Sequence, residues 1–364
     1  MTDVLISGAG IGGPTLAYWL ARNGFRVTVV ERYRGLRSSG NPIDVRGPAV
    51  PVAEAMGIMP RLREVATHAT GMSVLNRAGR RVAQLRMPAT NGDEVELARG
   101  DLAAIIADAA RDEAEFRYDD TIVSMTQDAD GVDVTFDRAA PRRFDLVVGA
   151  DGLHSTVRGL AFGPEHGIVH HAGLYVATLP LGEPAENPHD ILMYNTPGRL
   201  VTVHPARGKA LVAFIFRGAE TGFDYRDTET HKRIVTDAYA GLGWRVPELL
   251  DRLRRTEDLY FDAVSQVRLD GWTRGRVTLL GDAASCVSLF GDGSTLALAG
   301  AHALATTLTE TKDHATALRR YEAAHRALVE PKQRGMGRAA ALLVPKTRVG
   351  VTARNLGARF ARQV

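Results

Sequence analysis

Residues 4–32 have the sequence VLISGAGIGGPTLAYWLARNGFRVTVVER, which predicts a strand, a glycine turn, a helix and a second strand. Its glycines follow the spacing G-x-G-x-x-G at Gly8, Gly10 and Gly13, directly after an apolar run typical of a buried parallel strand. The first glycine allows a tight turn, the second lets backbone N–H groups approach a pyrophosphate, and the third lets the helix pack close to the strand. The start of the helix therefore favours an anion.

An acidic residue ends the second strand of this unit. Glu31 follows Gly13 by 18 residues, a distance at which a carboxylate accepts hydrogen bonds from a ribose diol, and Arg32 comes next. An ordinary glycine-rich turn between a strand and a helix is the alternative, but such a turn does not require the acid. The unit therefore predicts a Rossmann-like α/β domain that holds the ADP half of a dinucleotide, with Glu31 and Arg32 among its contacts.

The composition is that of a globular enzyme. The chain has 364 residues, of which 45% are hydrophobic and 24% charged, and its length favours two domains. Its single cysteine, Cys286, excludes an intramolecular disulfide and a thiolate-rich metal site, and favours a reducing compartment. The first strand begins within three residues of Met1 and no apolar run approaches the ~20 residues of a membrane span, so we expect a cytoplasmic protein.

The C-terminal segment carries an uneven share of the charge. The chain has a formal charge of +3, yet residues 331–364 contain eight basic residues and no acidic one, so the remainder is net negative. A cationic tail could contact a membrane surface or nucleic acid, but a helix over the acidic body fits as well, and Phe360 is the only aromatic residue there. We expect a helical tail without nucleic acid or stable membrane insertion.

The predicted secondary structure changes along the chain. Residues 95–111 have the spacing of an amphipathic helix with Asp101 as its cap, and residues 165–270 predict a largely antiparallel sheet that offers one face to a ligand. A long helical segment follows over residues 295–328. The expected parts are a discontinuous dinucleotide-binding domain of residues 1–164 and 271–330, an inserted substrate domain of residues 165–270, and a basic C-terminal helical tail of residues 331–364.

Three motifs stand in a fixed order. GAGIGG with Glu31 is followed by GADGLHSTVR at 149–158 and by RVTLLGDAAS at 276–285. In this order they resemble the single-component (class A) FAD-dependent aromatic hydroxylases, which have the para-hydroxybenzoate hydroxylase fold and include the tetracycline-inactivating monooxygenases. The resemblance covers almost the whole chain. It implies an α/β fold with a Rossmann-like FAD-binding domain, an inserted, largely antiparallel β-sheet substrate domain and a C-terminal helical segment.

The resemblance also assigns residues to the FAD phosphates and ribityl chain. In the family the first motif binds the ADP part of FAD, and an arginine in an R-x-x-L context, here Arg99, reaches over the phosphates. The DG pair, here Asp151 and Gly152, helps to bind FAD and the transient NAD(P)H. The GD pair, here Gly281 and Asp282, supplies a fixed acceptor to ribityl hydroxyls that lose water on binding.

A second group is implied at the flavin end. The segment GNPIDVRG resembles the one whose aspartate, here Asp44, approaches the flavin, and Arg37 matches a position that contacts the nicotinamide nucleotide. Gly291 and Gly293 bring backbone N–H groups to the pyrimidine edge of the flavin. Relatives usually have a proline before these glycines, where this chain has Leu289 in a loop one residue shorter. The departure affects the water-excluding pocket that oxygen transfer needs.

The implied activity is that of an FAD-dependent monooxygenase. NAD(P)H reduces FAD, O2 adds to the reduced flavin, and a flavin hydroperoxide delivers one oxygen atom to an aromatic or polyketide-like small molecule. The alternative, which Leu289 favours, keeps FAD without oxygen transfer: a flavin-dependent reductase, dehydrogenase or cyclisation enzyme of natural-product metabolism. A third alternative is a nucleotide-sensing binding module. The oligomeric state does not follow from the sequence.

The substrate is expected between the flavin and the predicted sheet of residues 170–217. Because the enzyme's FAD cofactor supplies the chemistry, no acid–base triad is required, and His154 is interpreted as structural. Four large side chains either line the substrate cavity or belong to the core: Met193, Tyr194, Phe214 and Phe216.

Overall fold

The computed structural model describes residues 1–35, 42–86, 93–206, 210–220, 222, 224, 227–287 and 292–360. The strands of these residues are β1 (Asp3–Ser7), β2 (Arg26–Glu31), β3 (Ile43–Val45), β4 (Gly71–Leu75), β5 (Arg81–Arg86), β6 (Val95–Leu97), β7 (Glu115–Tyr118), β8 (Ile122–Gln127), β9 (Val132–Phe136), β10 (Arg142–Phe144), β11 (Leu146–Gly149), β12 (Val169–Pro180), β13 (Asp190–Thr196), β14 (Arg199–His204), β15 (Leu211–Arg217), β16 (Tyr260–Val267), β17 (Thr273–Arg274) and β18 (Val277–Leu279).

Helices connect the strands and close the chain. They are α1 (Gly12–Arg22), α2 (Val50–Ala55), α3 (Met59–Val65), α4 (Arg99–Ala110), α5 (Thr156–Phe162), α6 (Thr228–Tyr239), α7 (Val246–Arg255), α8 (Asp282–Ser285), α9 (Asp292–Glu310), α10 (His314–Leu343) and α11 (Arg348–Phe360), with a 3-10 turn at Gly47–Ala49 before α2. Within the described residues, no helix combines the length and the apolar character that crossing a membrane requires.

A six-stranded sheet contains the N-terminal unit. Its order is β17-β18-β11-β1-β2-β7, and all pairs except the edge pair of β17 and β18 are parallel. Parallel strands buried on both faces have continuous apolar runs, which explains Val4–Ile6 and Leu146–Val148, all buried. Helices α1 and α9 and the small sheet β10-β9-β8 pack around it in one core. The predicted α/β fold is confirmed.

Two glycines let the first turn pack against its neighbours. Gly8 has φ +107°, and a Cβ built on it would lie 2.5 Å from the carbonyl oxygen of Ala150 at the end of β11. A Cβ on Gly13 would overlap the carbonyl oxygen of Gly8. A larger residue at Gly8 therefore pushes the turn away from the loop after β11, and one at Gly13 pushes α1 away from the end of β1.

A seven-stranded sheet forms the second half of the molecule. Its order is β16-β12-β15-β14-β13-β4-β5, and every pair except the parallel pair of β13 and β4 is antiparallel. Two of its strands, β4 and β5, come from residues 71–86, before the expected substrate domain of residues 165–270. Sequence patterns did not reveal this, because a parallel pairing joins segments that are distant along the chain.

Helices α6 and α7, which the sequence analysis did not predict, cover one face of this sheet. Tyr194, Phe214 and Phe216 are buried there among residues of both helices, so they belong to the core and do not line a substrate cavity. The hydroxyl of Tyr239 on α6 lies 2.7 Å from the carbonyl oxygen of Leu200. Met193 lies on the opposite face.

The remaining differences from the predictions concern element ends. Residues 95–111 comprise the short strand β6 and then α4, which begins at Arg99 and has no side-chain cap, so Asp101 lies in its first turn. The helical segment predicted over 295–328 is two helices, and α10 continues through Pro331, so residue 331 is not the start of a separate tail. The end of α10 packs on the seven-stranded sheet, where the Arg217 side chain donates to the carbonyl oxygen of Val344 at 2.7 Å.

Candidate functional site

A cleft runs between the carboxyl ends of the parallel strands and the face of the seven-stranded sheet opposite α6 and α7, part of which is covered by the end of α10. One half is lined by Ser7, Glu31 and Asp151, and the other by Val176 and Val287. Seven residues line both halves: Gly10, Ile11, Arg99, Ala150, Gly152, Tyr260 and Asp282. The two halves therefore form one continuous cleft that extends from the glycine turn to the sheet.

The glycine turn faces this cleft. Helix α1 begins at Gly12 after Ile11, so its unpaired backbone N–H groups lie next to Gly10. A Cβ on Gly10 would meet no protein atom within 4 Å, in contrast to the crowded Gly8 and Gly13. The space beside Gly10 is therefore open to a ligand, as an approaching pyrophosphate requires.

Glu31 lies at the end of β2 and organises the same turn. Its carboxylate accepts hydrogen bonds from the backbone N–H groups of Ala9 at 2.8 Å and Tyr33 at 3.0 Å. Each carboxylate oxygen has a second acceptor site, so the group can still receive ribose hydroxyls. The Arg32 side chain lines the cleft and lies 3.3 Å from the Thr156 hydroxyl.

Arg99 and Asp282 meet where the two halves of the cleft join. Burial raises the pKa of the Asp282 carboxyl, and the positive charge of Arg99 opposes that shift. Among the described residues, no carboxylate forms an ion pair with Arg99. Gly281 (φ +63°) precedes Asp282, and a Cβ on Gly293 would lie 3.8 Å from the Asp282 carboxylate. The cleft thus presents to its contents a cation that has no ion-pair partner among the described residues and a desolvated acceptor.

Asp151 is largely engaged within its own loop. Its carboxylate accepts from the Ser155 hydroxyl at 2.5 Å and from the backbone N–H of Val157 at 3.1 Å. Burial raises the pKa of this carboxyl, while these two hydrogen bonds favour its charged form. Ser155 in turn caps α5 by accepting from the backbone N–H of Arg158 at 2.9 Å. Asp151 therefore shapes the loop that lines the cleft.

Arg158 ties the second motif to the third. Its fully buried guanidinium donates to the carbonyl oxygens of Ala283 at 3.2 Å and Leu153 at 2.5 Å, and pairs with Glu165 at 2.9 Å. Because Ala283 follows Asp282 directly, this contact fixes the two loops that face the cleft relative to each other.

Asp44 is displaced from the cleft itself. Pro42 and Ile43 line the cleft, whereas the Asp44 carboxylate pairs with Arg46 at 3.3 Å. Successive residues of a strand point to opposite sides, which separates Ile43 from Asp44. Burial raises the pKa of Asp44 to about 6, against the opposing charge of Arg46. Its backbone carbonyl accepts from the Ser294 hydroxyl at 2.7 Å.

His154 connects the two sheets. Its Nδ1 lies 3.4 Å from Glu165, and its Nε2 lies 3.3 Å from Asp262 on β16. Burial lowers the pKa of His154, but the hydrogen bonds and charges of the two carboxylates outweigh that effect and raise it to about 9. With both nitrogens engaged, the imidazolium has the role of a bridge between the sheets, which agrees with the structural interpretation.

The structure adds cleft residues that the sequence analysis missed. Tyr260 and Asp262 are alternate residues of β16 and both line the cleft, as does Asp120 after β7. The sequence offered little indication of these residues, because a tyrosine and an aspartate in an apolar strand match no motif. Arg37, Gly291 and Leu289 lie outside the described residues.

Three described features of the cleft fit FAD. Gly10 leaves space at a helix start, Arg99 offers a cation, and Asp282 offers a desolvated acceptor. A dinucleotide flavin needs these three groups in this order for its phosphates and its ribityl chain.

Comparisons with known proteins agree with this fit. Residues 1–332 match the protein family described as FAD binding domain. A flavin-dependent monooxygenase from Legionella longbeachae is 33% identical over 338 residues, which cover 91% of this chain and 87% of that protein. A protein of Mycobacterium tuberculosis is 39% identical over 92% of both chains. The crystal structure of the tetracycline destructase Tet(51) is similar with a TM-score of 0.87 and 29% identity, covering 99% of this chain and 96% of that one. The chain therefore belongs to the FAD-dependent monooxygenases that share this FAD-binding domain.

Proposed function

We propose that this monooxygenase takes its electrons from NADH or NADPH and transfers one oxygen atom from O2 to an aromatic or polyketide-like small molecule. One observation carries the proposal: Arg99, Tyr260 and Asp282 line both halves of a single cleft, so a cofactor at the glycine turn extends to the seven-stranded sheet. Bound FAD supplies the redox chemistry with the nicotinamide nucleotide and O2. The chain's own residues bind and orient the cofactor and the substrate, and they exclude water from the cleft.

The cofactor half has a division of roles. The N–H groups beside Gly10 and the guanidinium of Arg99 hold the pyrophosphate, while Glu31 accepts from the ribose hydroxyls and Asp282 from the ribityl hydroxyls. Asp151 contributes to cofactor binding by fixing the loop that lines the cleft, because its carboxylate already accepts hydrogen bonds from Ser155 and Val157. Arg37, Gly291 and Gly293 keep the roles that the resemblance implies.

The substrate half has an apolar wall beside its polar cofactor-facing residues. Ile43, Val176, Ala263 and Val287 form its wall, with the ring of Tyr260 where the halves join. An apolar wall excludes water from the reacting atoms, which protects activated oxygen from unproductive release as hydrogen peroxide. No described residue of this wall is a free general base, which is consistent with substrates whose ring is already electron-rich.

The substrate class follows from chemistry and from similarity. A phenol or an enol is nucleophilic enough to accept an electrophilic oxygen atom, and the structural relative Tet(51) is a tetracycline destructase. A polyoxygenated ring compound is therefore the first class to test. We place the reaction in the cytoplasm, as expected from the sequence.

The test begins with the purified protein loaded with FAD. Anaerobic reduction by NADH and by NADPH is followed by flavin absorbance, and each panel compound is then incubated with the preferred nucleotide in air. We expect rapid flavin reduction and, for a polyoxygenated ring compound, a product heavier by one oxygen atom. Flavin that neither nucleotide reduces, or nucleotide consumption that yields only hydrogen peroxide with every compound, contradicts the proposal.

A further inference from the structure

The first turn of helix α9 borders the cleft just beyond Asp282. Gly293 and Ser294 line the substrate half, and a Cβ on Gly293 would lie 3.8 Å from the Asp282 carboxylate. In the proposed function the ADP part of FAD lies at the glycine turn and its ribityl chain reaches Asp282. The flavin ring therefore comes next along the cleft, beside the first turn of α9, and the charges around this turn act on the ring.

A buried acid stands at this turn. Asp292 is the first residue of α9 and is 8% exposed. Its Oδ1 atom lies 2.9 Å from Nη2 of Arg46 and 3.1 Å from Nζ of Lys332, which is on α10. One carboxylate oxygen therefore receives two cations, which come from segments that are distant along the chain.

The position of Arg46 follows from its own segment. The backbone carbonyl of Asp44 accepts from the hydroxyls of Ser294 at 2.7 Å and Thr295 at 3.2 Å, and the backbone N–H of Arg46 donates to the Thr295 hydroxyl at 3.4 Å. These bonds fasten the segment to α9 without any help from α10. Lys332 is different, because Asp292 is its only ion-pair partner among the described residues.

Carboxylates outnumber cations around this turn. The carboxylate of Asp44 pairs with Arg46 at 3.3 Å. Burial is the largest cause that raises the pKa of Asp44 to about 6, and the negative charges of three neighbours add to it: Glu94, Glu96 and Asp292. Within the described part of the chain, the only cations that pair with these four carboxylates are Arg46 and Lys332. Loss of either cation makes the surroundings of the turn more negative.

The charge of this turn matters for the redox chemistry of a flavin. Two electrons and one proton convert oxidised FAD into its reduced form, whose ring carries one negative charge. A nearby cation favours that form, and a nearby carboxylate without a partner disfavours it. A group that neutralises Asp292 therefore raises the reduction potential of the bound cofactor.

We propose that Lys332 is a positioning residue of the redox reaction, which holds and neutralises the carboxylate of Asp292 at the start of α9 and so makes reduction of the bound flavin more favourable. This inference rests on the proposed function, because it needs the flavin ring beside α9. It goes further by naming a residue outside the cleft that sets the electron affinity of the cofactor.

The test measures the midpoint potential of the FAD-loaded enzyme. The protein is titrated with sodium dithionite without oxygen, in the presence of a reference dye of known potential, and the flavin and dye absorbances are compared. We expect Lys332→Met to weaken the binding of reduced FAD relative to oxidised FAD by about 3- to 10-fold, which lowers the potential by roughly 15–30 mV for a two-electron couple. Lys332→Arg keeps the charge and the wild-type potential.

The matched control removes the same charge from the opposite end of α9. Lys312 is exposed and follows the last residue of the helix, Glu310. The helix has 19 residues, so its two ends are about 28 Å apart, which is more than three Debye lengths at physiological ionic strength. We expect Lys312→Met to leave the potential unchanged.

A double variant separates charge from a role in folding. Asp292→Asn combined with Lys332→Met removes one charge of each sign, so the relative affinity for reduced FAD returns to within about twofold of the wild type. A lost structural contact is not restored by a second loss. If Lys332→Met does not retain FAD, Asp292→Asn alone carries the test, because removal of the acid raises the potential.

Four results overturn the proposal: a shift in Lys332→Met no larger than that in Lys312→Met, an equal shift in Lys332→Arg, a double variant that keeps the shift of the single one, or an unchanged potential in Asp292→Asn. These results are separate from failure of the proposed function. Dithionite replaces the nicotinamide nucleotide, and no substrate or O2 is present, so an enzyme that yields only hydrogen peroxide still gives a readable potential.

Discussion

The two sheets that border the cleft satisfy their buried polar groups differently. On the parallel side, Asp151 and Arg158 bond to neighbouring loops, and Glu31 to the glycine turn. Of the twelve buried side-chain atoms without a partner among the described residues, seven belong to β12, β13 and β14. The polar side chains of the cofactor side are therefore held by hydrogen bonds before any ligand binds, whereas the substrate side contains more buried polar atoms without a partner among the described residues.

The largest effect is expected where the cofactor side is most crowded. Gly13→Ala places a Cβ against the carbonyl oxygen of Gly8, which separates α1 from the sheet and lowers the free energy of unfolding by about 3 kcal/mol or more. Gly10→Ala meets no protein atom within 4 Å, so the apoprotein keeps its stability while FAD affinity falls. Urea unfolding of the apoprotein and FAD titration measure the two quantities.

The opposite effects of the two substitutions would show that the pyrophosphate does not bind beside Gly10. If Gly10→Ala unfolds the apoprotein, or if it binds FAD as the wild type does, the space beside Gly10 is not the pyrophosphate site.

The second effect concerns the desolvated acceptor of the cofactor side. Asp282→Ala removes the carboxylate at the junction of the cleft and lowers FAD affinity by about 1–3 kcal/mol, or roughly 5- to 150-fold. The control Asp227→Ala removes an exposed helix cap of α6, 3.0 Å from the backbone N–H of Thr230, and leaves FAD affinity unchanged. Equal FAD retention in the two variants contradicts the assignment of Asp282.

The third prediction tests the bridge between the sheets. The pKa of His154 is raised to about 9 in the folded state, above its ordinary value of 6.5, so its stabilising contribution is complete below pH 6.5 and is lost as the pH rises through 9. We expect the stability of the wild type to fall on the order of 1–2 kcal/mol more than that of His154→Gln between pH 7 and 9.5.

This window avoids the other buried histidines. Burial lowers the pKa of His204 and His325 to about 4 and also lowers the pKa of His231, so these rings stay neutral in the folded protein above pH 6.5. Parallel pH curves for the wild type and His154→Gln contradict a charged bridge.

The smallest effect is expected on the far face of the substrate side. Tyr239→Phe removes the hydroxyl that bonds to Leu200 and Ile215, which lowers the free energy of unfolding by about 1 kcal/mol. FAD affinity stays the same, because this core lies behind the sheet. A change in FAD affinity would mean that the two faces of the sheet are coupled.

The sequence predicted the cofactor side well for a physical reason. A backbone turn that approaches a phosphate requires Gly8, Gly10 and Gly13 in order, and an acid at Glu31 follows from the length of one helix and one strand. The α/β fold and the family follow from these local constraints. The individual FAD contacts, including that of Arg99, remain predictions.

The substrate side was less predictable because its geometry depends on distant pairings. Ala213 on β15 pairs with Thr178 on β12 and with Thr202 on β14, and no local pattern in the sequence gives this register. Strand β4 pairs with β13, which is more than a hundred residues away along the chain. The sequence left Tyr194 and Phe214 open as lining or core residues, and the structure assigns them to the core because α6 and α7 pack behind this part of the sheet.

Isotope labelling shows whether the enzyme transfers oxygen in the cleft between the two sheets. The FAD-loaded enzyme is incubated with the preferred nicotinamide nucleotide, a polyoxygenated ring compound that it binds, and heavy-isotope O2, and the product is analysed by mass spectrometry. We expect one heavy oxygen atom in the product and little hydrogen peroxide. Product without the label, or reducing equivalents recovered entirely as peroxide, would contradict it.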